Sequence, residues 1–343
     1  MALRACQEIS GEMYREWFDR HVFELDYRSP FHNPAWLETA SRGIDFQLRF
    51  IGVFEGRDLV AAVPGFLTRR GPFRLFGSPL RGLMTSYLGP VVLQGTEAEV
   101  MALVEGCSQF ARKRWRVSYT RFSLRDAPVD EHPDLGPGWR QETPRSYRLD
   151  LTGGVAALWE GLESDCRRNV RKAERLGIAT DEMKDAHRFY EMLDGTMRRH
   201  GTVSWHPERF FHQLMEGLAP RDLLWSWGAC YEGKIVAAGL FLHDDNEAHF
   251  LSGASEPDYG SLPTSYLLHW HAIERAAGAG LKTFHSEASK VRSIDQFKES
   301  FRPALERRHT LIWSPRFVRR AESAFMSASG RLRQLRKHLD GPS

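Results

Sequence analysis

An internal repeat is the feature that most restricts how this chain can fold. "FEGRDLVAA", from Phe54 to Ala62, returns as "YEGKIVAA", from Tyr231 to Ala238, one residue shorter in the turn. Beyond the turn the copies align without a gap, matching Phe66 with Leu242, Leu75 with Leu251 and Gly77 with Gly253. Each copy reads as strand, tight glycine turn, strand and a further strand. A helical pattern follows, from about Glu97 to Trp115 in the first copy and from Leu262 to Ala279 in the second. Each helix leads to one more strand, Val117 to Leu124 and Leu281 to Glu287. This shared order implies duplication: an α/β (α+β) chain of two tandem domains, each a mixed, mostly antiparallel sheet flanked by helices.

Length agrees, because single cores usually stop growing near ~250–300 residues and this chain has 343. The Pro- and Gly-rich "DEHPDLGPGW", Asp130 to Trp139, marks a boundary. The expected division is an N-terminal domain at 1–145, a C-terminal domain at 146–313 and a basic helical tail at 314–343. In the tail Phe317, Ala321, Phe325, Ala328, Leu332, Leu335 and Leu339 recur at intervals of three and four, and seven Arg and Lys face two acids. That pattern predicts an amphipathic helix, or a pair broken at Gly330, able to cover a sheet or make peripheral contact with an anionic membrane. Earlier, "HNPAWLETASRG" predicts a helix capped by Asn33, with Pro34 at its first position and Gly43 closing it.

Composition excludes several classes. The four cysteines, Cys6, Cys107, Cys166 and Cys230, form no C-x-x-C pair, which points to a reducing compartment and no zinc site. The fourteen histidines form no H-E-x-x-H, and His269 and His271 diverge on a helix, so no metal is expected. Without a G-x-x-x-x-G-K-[ST] loop, ATP-driven activation is not expected and any activated donor must arrive ready-made. Arg4, Glu8 and Glu12 interrupt any apolar run near Met1, and no stretch approaches the ~20 apolar residues of a membrane span. A cytoplasmic location follows as an expectation.

"SDCRRNVRKAERLG", residues 164–177, predicts a helix with Ser164 or Asp165 as cap and Gly177 as stop. At 100° per residue Arg167, Arg168, Arg171, Lys172 and Arg175 share one side, and Val170, Ala173 and Leu176 the other. Arg167 and Arg168 fall in the first turn, where the helix dipole disfavours cations by ~0.3–1 kcal/mol unless an anion is near. Two readings stay open: a face that binds an anion, or a solvated basic face.

The ordered set "RRNVRKAERLGI", a helix pair, "ACYEGKIVAAGLFL" and "FKESF", with "PFHNPAWLE" near the start, resembles the Fem-like branch of the GNAT superfamily. Its best-known members are peptidoglycan-bridge aminoacyltransferases. The resemblance implies two GNAT-like domains and transfer of an aminoacyl group from aminoacyl-tRNA, as co-substrate, to an amine of a small-molecule or cell-wall precursor acceptor, forming an amide. An N-acyltransferase using acyl-CoA or a carrier-protein thioester is the alternative. A catalytically silent double-GNAT protein that binds RNA or an anionic surface is the other. The chain lacks a coiled-coil arm, reads Phe284-His285-Ser286-Glu287 where relatives carry aromatic-Asp-aromatic-Gly, and has "ASEPDYGSLP" in place of the phosphate-cradling loop of acetyl-CoA enzymes. Glu256 and Asp258 in that loop would repel a pyrophosphate.

The family's Phe-Lys pair matches Phe297 and Lys298. The resemblance implies that Lys298 stabilises the tetrahedral oxyanion or the departing ribose oxygen. Phe297 and Phe301 read as packing anchors rather than reactants, and Phe297 and Glu287 count among the candidate substrate-binding residues. His285 and Glu287 share one side of a strand, and a neutral His285 imidazole has the pKa to accept the amine proton. Tyr259 and Tyr266 complete the candidate substrate site, as hydrogen-bond donors or as core.

Overall fold

The computed structural model describes residues 4–25, 28–93, 97–125, 136–199, 201, 203–289 and 291–324. The chain divides into two units, residues 1–144 with 308–343 and residues 145–307.

The first unit contains β1 (Arg4–Ile9), α1 (Gly11–His21), α2 (Pro34–Ile44), β2 (Gln47–Glu55), β3 (Asp58–Arg70), β4 (Phe73–Ser78), β5 (Val91–Val92), α3 (Glu97–Trp115), β6 (Tyr119–Ser123) and β7 (Trp139–Glu142). A return strand, Thr310–Trp313, enters between β6 and β7, giving the order β1-β2-β3-β4-β6-return-β7 with β5 beside β3. Every pairing is antiparallel except β4 with β6. Those two strands can run parallel because α3 carries the chain back between them. Val100, Leu103, Val104, Cys107 and Ala111 line the α3 face that packs on the sheet.

Residues 308–313, expected in the C-terminal domain, therefore belong to the first unit. A strand's place is decided by its partners, here Tyr119–Ser123 and Trp139–Glu142, which local pattern does not reveal. Residues 316–324 begin a helix, with Arg140 donating to Glu322 at 2.5 Å. The rest of the expected tail, 325–343, lies outside the described residues.

The second unit contains β8 (Arg145–Asp150), α4 (Gly154–Gly161), α5 (Ser164–Arg175), β9 (Ala179–Glu182), α6 (Ala186–Arg199), α7 (Glu208–Leu218), β10 (Leu224–Tyr231), β11 (Lys234–His243), β12 (Glu247–Ser255), α8 (Thr264–Gly278), β13 (Thr283–Glu287), α9 (Arg292–Glu299) and β14 (Ala304–Arg307). Its sheet runs β14-β8-β13-β12-β11-β10-β9. Again one pair, β12 with β13, is parallel, and again a helix, α8, separates the two in sequence. Cys166, Val170 and Ala173 of α5 join Leu267, Ala272, Ile273 and Ala276 of α8 in one core with Phe241, Ala248 and Phe284.

The duplication extends to an irregularity. In the first unit the β2–β3 register shifts between Val53 and Phe54, and in the second the β10–β11 register shifts between Ala229 and Cys230, 176 positions on. Both hairpins also close with two-residue loops, pairing Glu55 with Asp58 and Tyr231 with Lys234. The turns are thus equal in length, correcting the one-residue difference that aligning the two Glu-Gly pairs implies. Gly56 opens the first loop at φ 63°, whereas Glu232 and Gly233 both take positive φ in the second, 49° and 76°. Two consecutive positive φ values give the turn whose twist matches that of a hairpin.

Helix ends follow the expected chemistry with small shifts. Asn33 accepts from Ala35 N–H at 2.9 Å and Pro34 occupies the first position of α2. The helix passes Gly43 and stops at Asp45, which takes φ 55°. For α5 the cap position is Glu163, with no side-chain capping bond, so neither Ser164 nor Asp165 caps it. Gly177 does close it, at φ 72°.

Candidate functional site

Beyond the pair His249–His285, β12 and β13 part. From Phe250 onward β11 is the one described strand that pairs with β12, while Ser286 and Glu287 of β13 pair with β8. Next to this opening α9 presents Asp295 and Lys298, three residues apart and both buried. Lys298 Nζ donates to the Glu287 backbone oxygen and lies 5.6 Å from the centroid of the Phe250 ring. Burial lowers its pKa from the ordinary lysine value, with the Glu287 and Asp295 carboxylates pulling the other way. Asp295 stays ionised against its own burial through the Ser289 N–H at 2.8 Å, Tyr147 and Arg145 at 3.3 Å.

The Phe250 ring beneath this ammonium belongs to a wider aromatic cluster. Tyr266 meets Phe297 edge-on at 4.9 Å, and Phe301 lies 5.4 Å from Phe297. His269, from α8, sits 4.7 Å from Phe297 and 4.3 Å from Phe250. Its Nδ1 lies 3.2 Å from Ser265 O, which assigns the proton to Nδ1 and leaves Nε2 as a lone pair. That Nε2 is buried without a hydrogen bond among the described residues. Burial, and secondarily the Lys298 charge, pull the His269 pKa down to about 3. At neutral pH an uncharged imidazole thus stands beside a lysine ammonium. In the sequence His269 enters only to be set aside as a metal ligand, since it and His271 diverge on the helix. Flanked by Leu268 and Trp270 on a helix, it has no local pattern to distinguish it from a core histidine.

The site therefore joins Lys298, Phe297 and Tyr266 and uses Glu287 through its backbone. It does not contain His285. Side chains alternate along a strand, so Phe284 points to the core with Phe250 while His285 points to the opposite face. There His285 stacks on His249, centroids 4.6 Å apart and planes 7° from parallel. Glu247, fully buried, lies between them, 2.9 Å from His249 Nε2 and 3.5 Å from His285 Nε2, and Thr283 Oγ1 is 3.0 Å from His285 Nε2. Two histidines and a carboxylate are a metal-capable set, which no spacing in the sequence displays. Yet nearly parallel imidazoles direct their in-plane lone pairs side by side rather than toward one point. A single ion at the ~2.0–2.1 Å of a metal–imidazole bond would require one ring to turn, and the existing geometry is that of a hydrogen-bonded cluster. Tyr259 is also elsewhere, 6.2 Å from the ring of Tyr231 at the far end of β12.

The basic helix divides into two groups. Arg167 Nη1 donates to the carbonyls of Trp159 at 3.4 Å, Glu160 at 2.7 Å and Leu162 at 2.6 Å. It caps the C-terminal end of α4, where unpaired carbonyls favour a cation. This correction explains why an arginine tolerates the first turn of α5: the negative end of one helix offsets the positive end of the next. Arg171 lies 5.3 Å from the Trp159 ring, and Arg168 pairs with Asp165 at 2.9 Å. Lys172 and Arg175 are exposed, with no ion pair to a described residue.

In the loop after β12, Arg188 is ion-paired with Glu256, and Asp258 is exposed in the short 3-10 turn Pro257–Tyr259. Among the described residues no helix is long and apolar enough to cross a membrane.

Two meanders, each followed by a helix and a parallel strand, with a charged site where the parallel strands of the second part, define a tandem GNAT-like protein. Residues 160–299 match the sequence pattern of the acetyltransferase (GNAT) domain family. No curated protein sequence matches the chain. Among solved structures, FemX superposes with TM-score 0.68 at 12% identity, over 89% of this chain and 96% of its own. The C-terminal domain of a putative lysylphosphatidylglycerol synthetase from Agrobacterium fabrum gives 0.57 at 16%, over 93% and 97%. A tandem GNAT protein from the clavulanic acid biosynthesis pathway gives 0.56 at 13%, over 90% and 98%. At these identities the likeness establishes the fold.

Proposed function

We propose that the chain transfers an aminoacyl group from aminoacyl-tRNA to the amine of a small-molecule or cell-wall precursor acceptor. The observation that carries this reading is the buried Lys298 ammonium, which lies over Phe250 and close enough to His269 to act on its charge, where β12 and β13 part. The reaction needs little more. A neutral amine attacks the ester carbonyl, the carbonyl carbon becomes tetrahedral, and the ribose oxygen departs with a proton as the amide forms. Lys298 stabilises the oxyanion, and because burial has made it a stronger acid than a free lysine, it can hand its proton to the ribose oxygen. The amine's surplus proton then restores it. Tyr266 and Phe297 exclude water, which favours the amine over hydrolysis.

Lys172 and Arg175, with Arg168, supply exposed charge for the tRNA backbone without reading its sequence. The loop after β12 supports an ester donor over acyl-CoA, since a pyrophosphate there would meet the exposed Asp258 carboxylate, Glu256 being paired with Arg188. The acetyltransferase family match favours the second reading, an acyl-CoA or carrier-protein donor on the same Lys298 chemistry. Incubation with charged tRNAs and a panel of amines, with and without RNase, separates the two. RNase-sensitive amide formation is the expected result, and RNase-resistant transfer that requires an acyl thioester would replace the first reading with the second.

A further inference from the structure

We propose that Cys6 and Cys107 are a reversible disulfide site of the first unit, formed by reaction with hydroperoxides. Cys6 lies on the edge strand β1 and Cys107 on the packed face of α3, 101 positions later, with their Sγ atoms 3.9 Å apart. Nothing in the sequence pairs them; the contact exists because α3 crosses β1 closely. A disulfide requires ~2.05 Å between sulfurs, so forming one draws the two Sγ atoms together from 3.9 Å.

The two thiols are unequal. Cys6 is half-buried, so a small oxidant can reach it, whereas Cys107 is fully buried. The Cys107 thiol, donating to the Cys6 sulfur, holds Cys6 below the ordinary thiol range despite the opposing effect of burial. The same bond, together with burial, pushes Cys107 up. Cys6 is therefore the attacking thiolate and Cys107 the resolving thiol. The Cys6 thiolate attacks the outer oxygen of a hydroperoxide; the O–O bond breaks, leaving a sulfenic acid on Cys6 and, after protonation, an alcohol or water. Cys107 sulfur then attacks Cys6 sulfur, the S–O bond breaks, and the hydroxide takes the Cys107 proton and leaves as water. Two thiols lose two electrons and the peroxide gains them. A thiol reductant reverses the bond by exchange. Cys166, buried and pushed up to about 11, and Cys230, raised by burial, lie in the second unit and serve as internal controls.

The test uses the full chain, reduced and then exposed to a small excess of hydrogen peroxide, with thiols counted after denaturation and peptides mapped without reduction. Four thiols should fall to two, with one Cys6–Cys107 cross-linked peptide that dithiothreitol dissolves. Cys6→Ser should keep its three thiols under the same treatment. Cys107→Ala, which buries no new polar atom, should accumulate a dimedone-reactive sulfenic acid on Cys6. Four surviving thiols, over-oxidation of Cys6 without a cross-link, or a disulfide through Cys230 or between chains would each overturn the proposal.

Discussion

His285 and Lys298 occupy opposite faces of the second sheet: one stacks on His249 beside the buried carboxylate of Glu247, and the other lies over Phe250 beside His269. A histidine so placed cannot take a proton from an amine held at Lys298. His285→Gln should leave kcat and its pH profile unchanged in acyl transfer. His285→Phe should cost ~1–3 kcal/mol of stability, because a buried partner of Glu247 and Thr283 is removed. Denaturant unfolding and steady-state kinetics on both variants check this, and a collapse of kcat in a folded His285→Gln would return His285 to the mechanism.

Lys298→Met keeps the apolar stem and removes the charge. Turnover should fall by ~10²-fold or more while KM for the acceptor changes little, the pattern of an interaction made mainly in the transition state. Single-turnover kinetics in a variant with native circular dichroism is the measurement.

The pH dependence of stability should carry the signature of His269. Its folded pKa of about 3 lies below the unfolded value of 6.5, so between them the unfolded chain binds more protons and stability rises with pH. As pH falls from 6.5 toward 3 stability declines, with a slope of up to ~1.4 kcal/mol per pH unit from this group. His269→Phe, filling the same aromatic pocket, should flatten that part of the profile. Urea midpoints at a series of pH values would show it, and an unaltered slope would mean that His269 is accessible to protons in the folded state.

Arg167 and Lys172 should separate structure from binding. Arg167→Gln removes the charged donor from three carbonyls of the α4 end and should cost ~1–2 kcal/mol, with RNA affinity unchanged. Replacing Arg168, Lys172 and Arg175 with Gln should leave stability within ~0.5 kcal/mol, weaken tRNA binding and flatten its salt dependence by about one unit for each phosphate that is no longer neutralised. Thermal melts and binding at several salt concentrations distinguish them. A salt slope that does not change would mark the whole face as solvated.

Local chemistry is legible in the sequence. The Asn33-Pro34 helix start, the Gly177 stop, the repeated hairpins and the α3 and α8 helices can be read there because capping, turn geometry and periodicity act between neighbours along the chain. The Fem-like motif also singles out Lys298, which α9 places over Phe250 and close to His269. Period-two alternation puts His285 and Glu287 on one side of β13, but alternation does not say which side faces the core. That choice comes from burial of Phe284 and Phe250 against α8, and it carries His285 away from Lys298. For the same reason the sequence does not distinguish His269, groups Arg167 with a cationic face it does not serve, and leaves Cys6 and Cys107 unpaired. Helix periodicity can place a charge on a stripe. What meets that stripe is decided by packing between segments far apart in the chain, as when the C-terminal end of α4 arrives at Arg167 or Thr310–Trp313 returns to complete the first sheet, and only the tertiary structure contains that information.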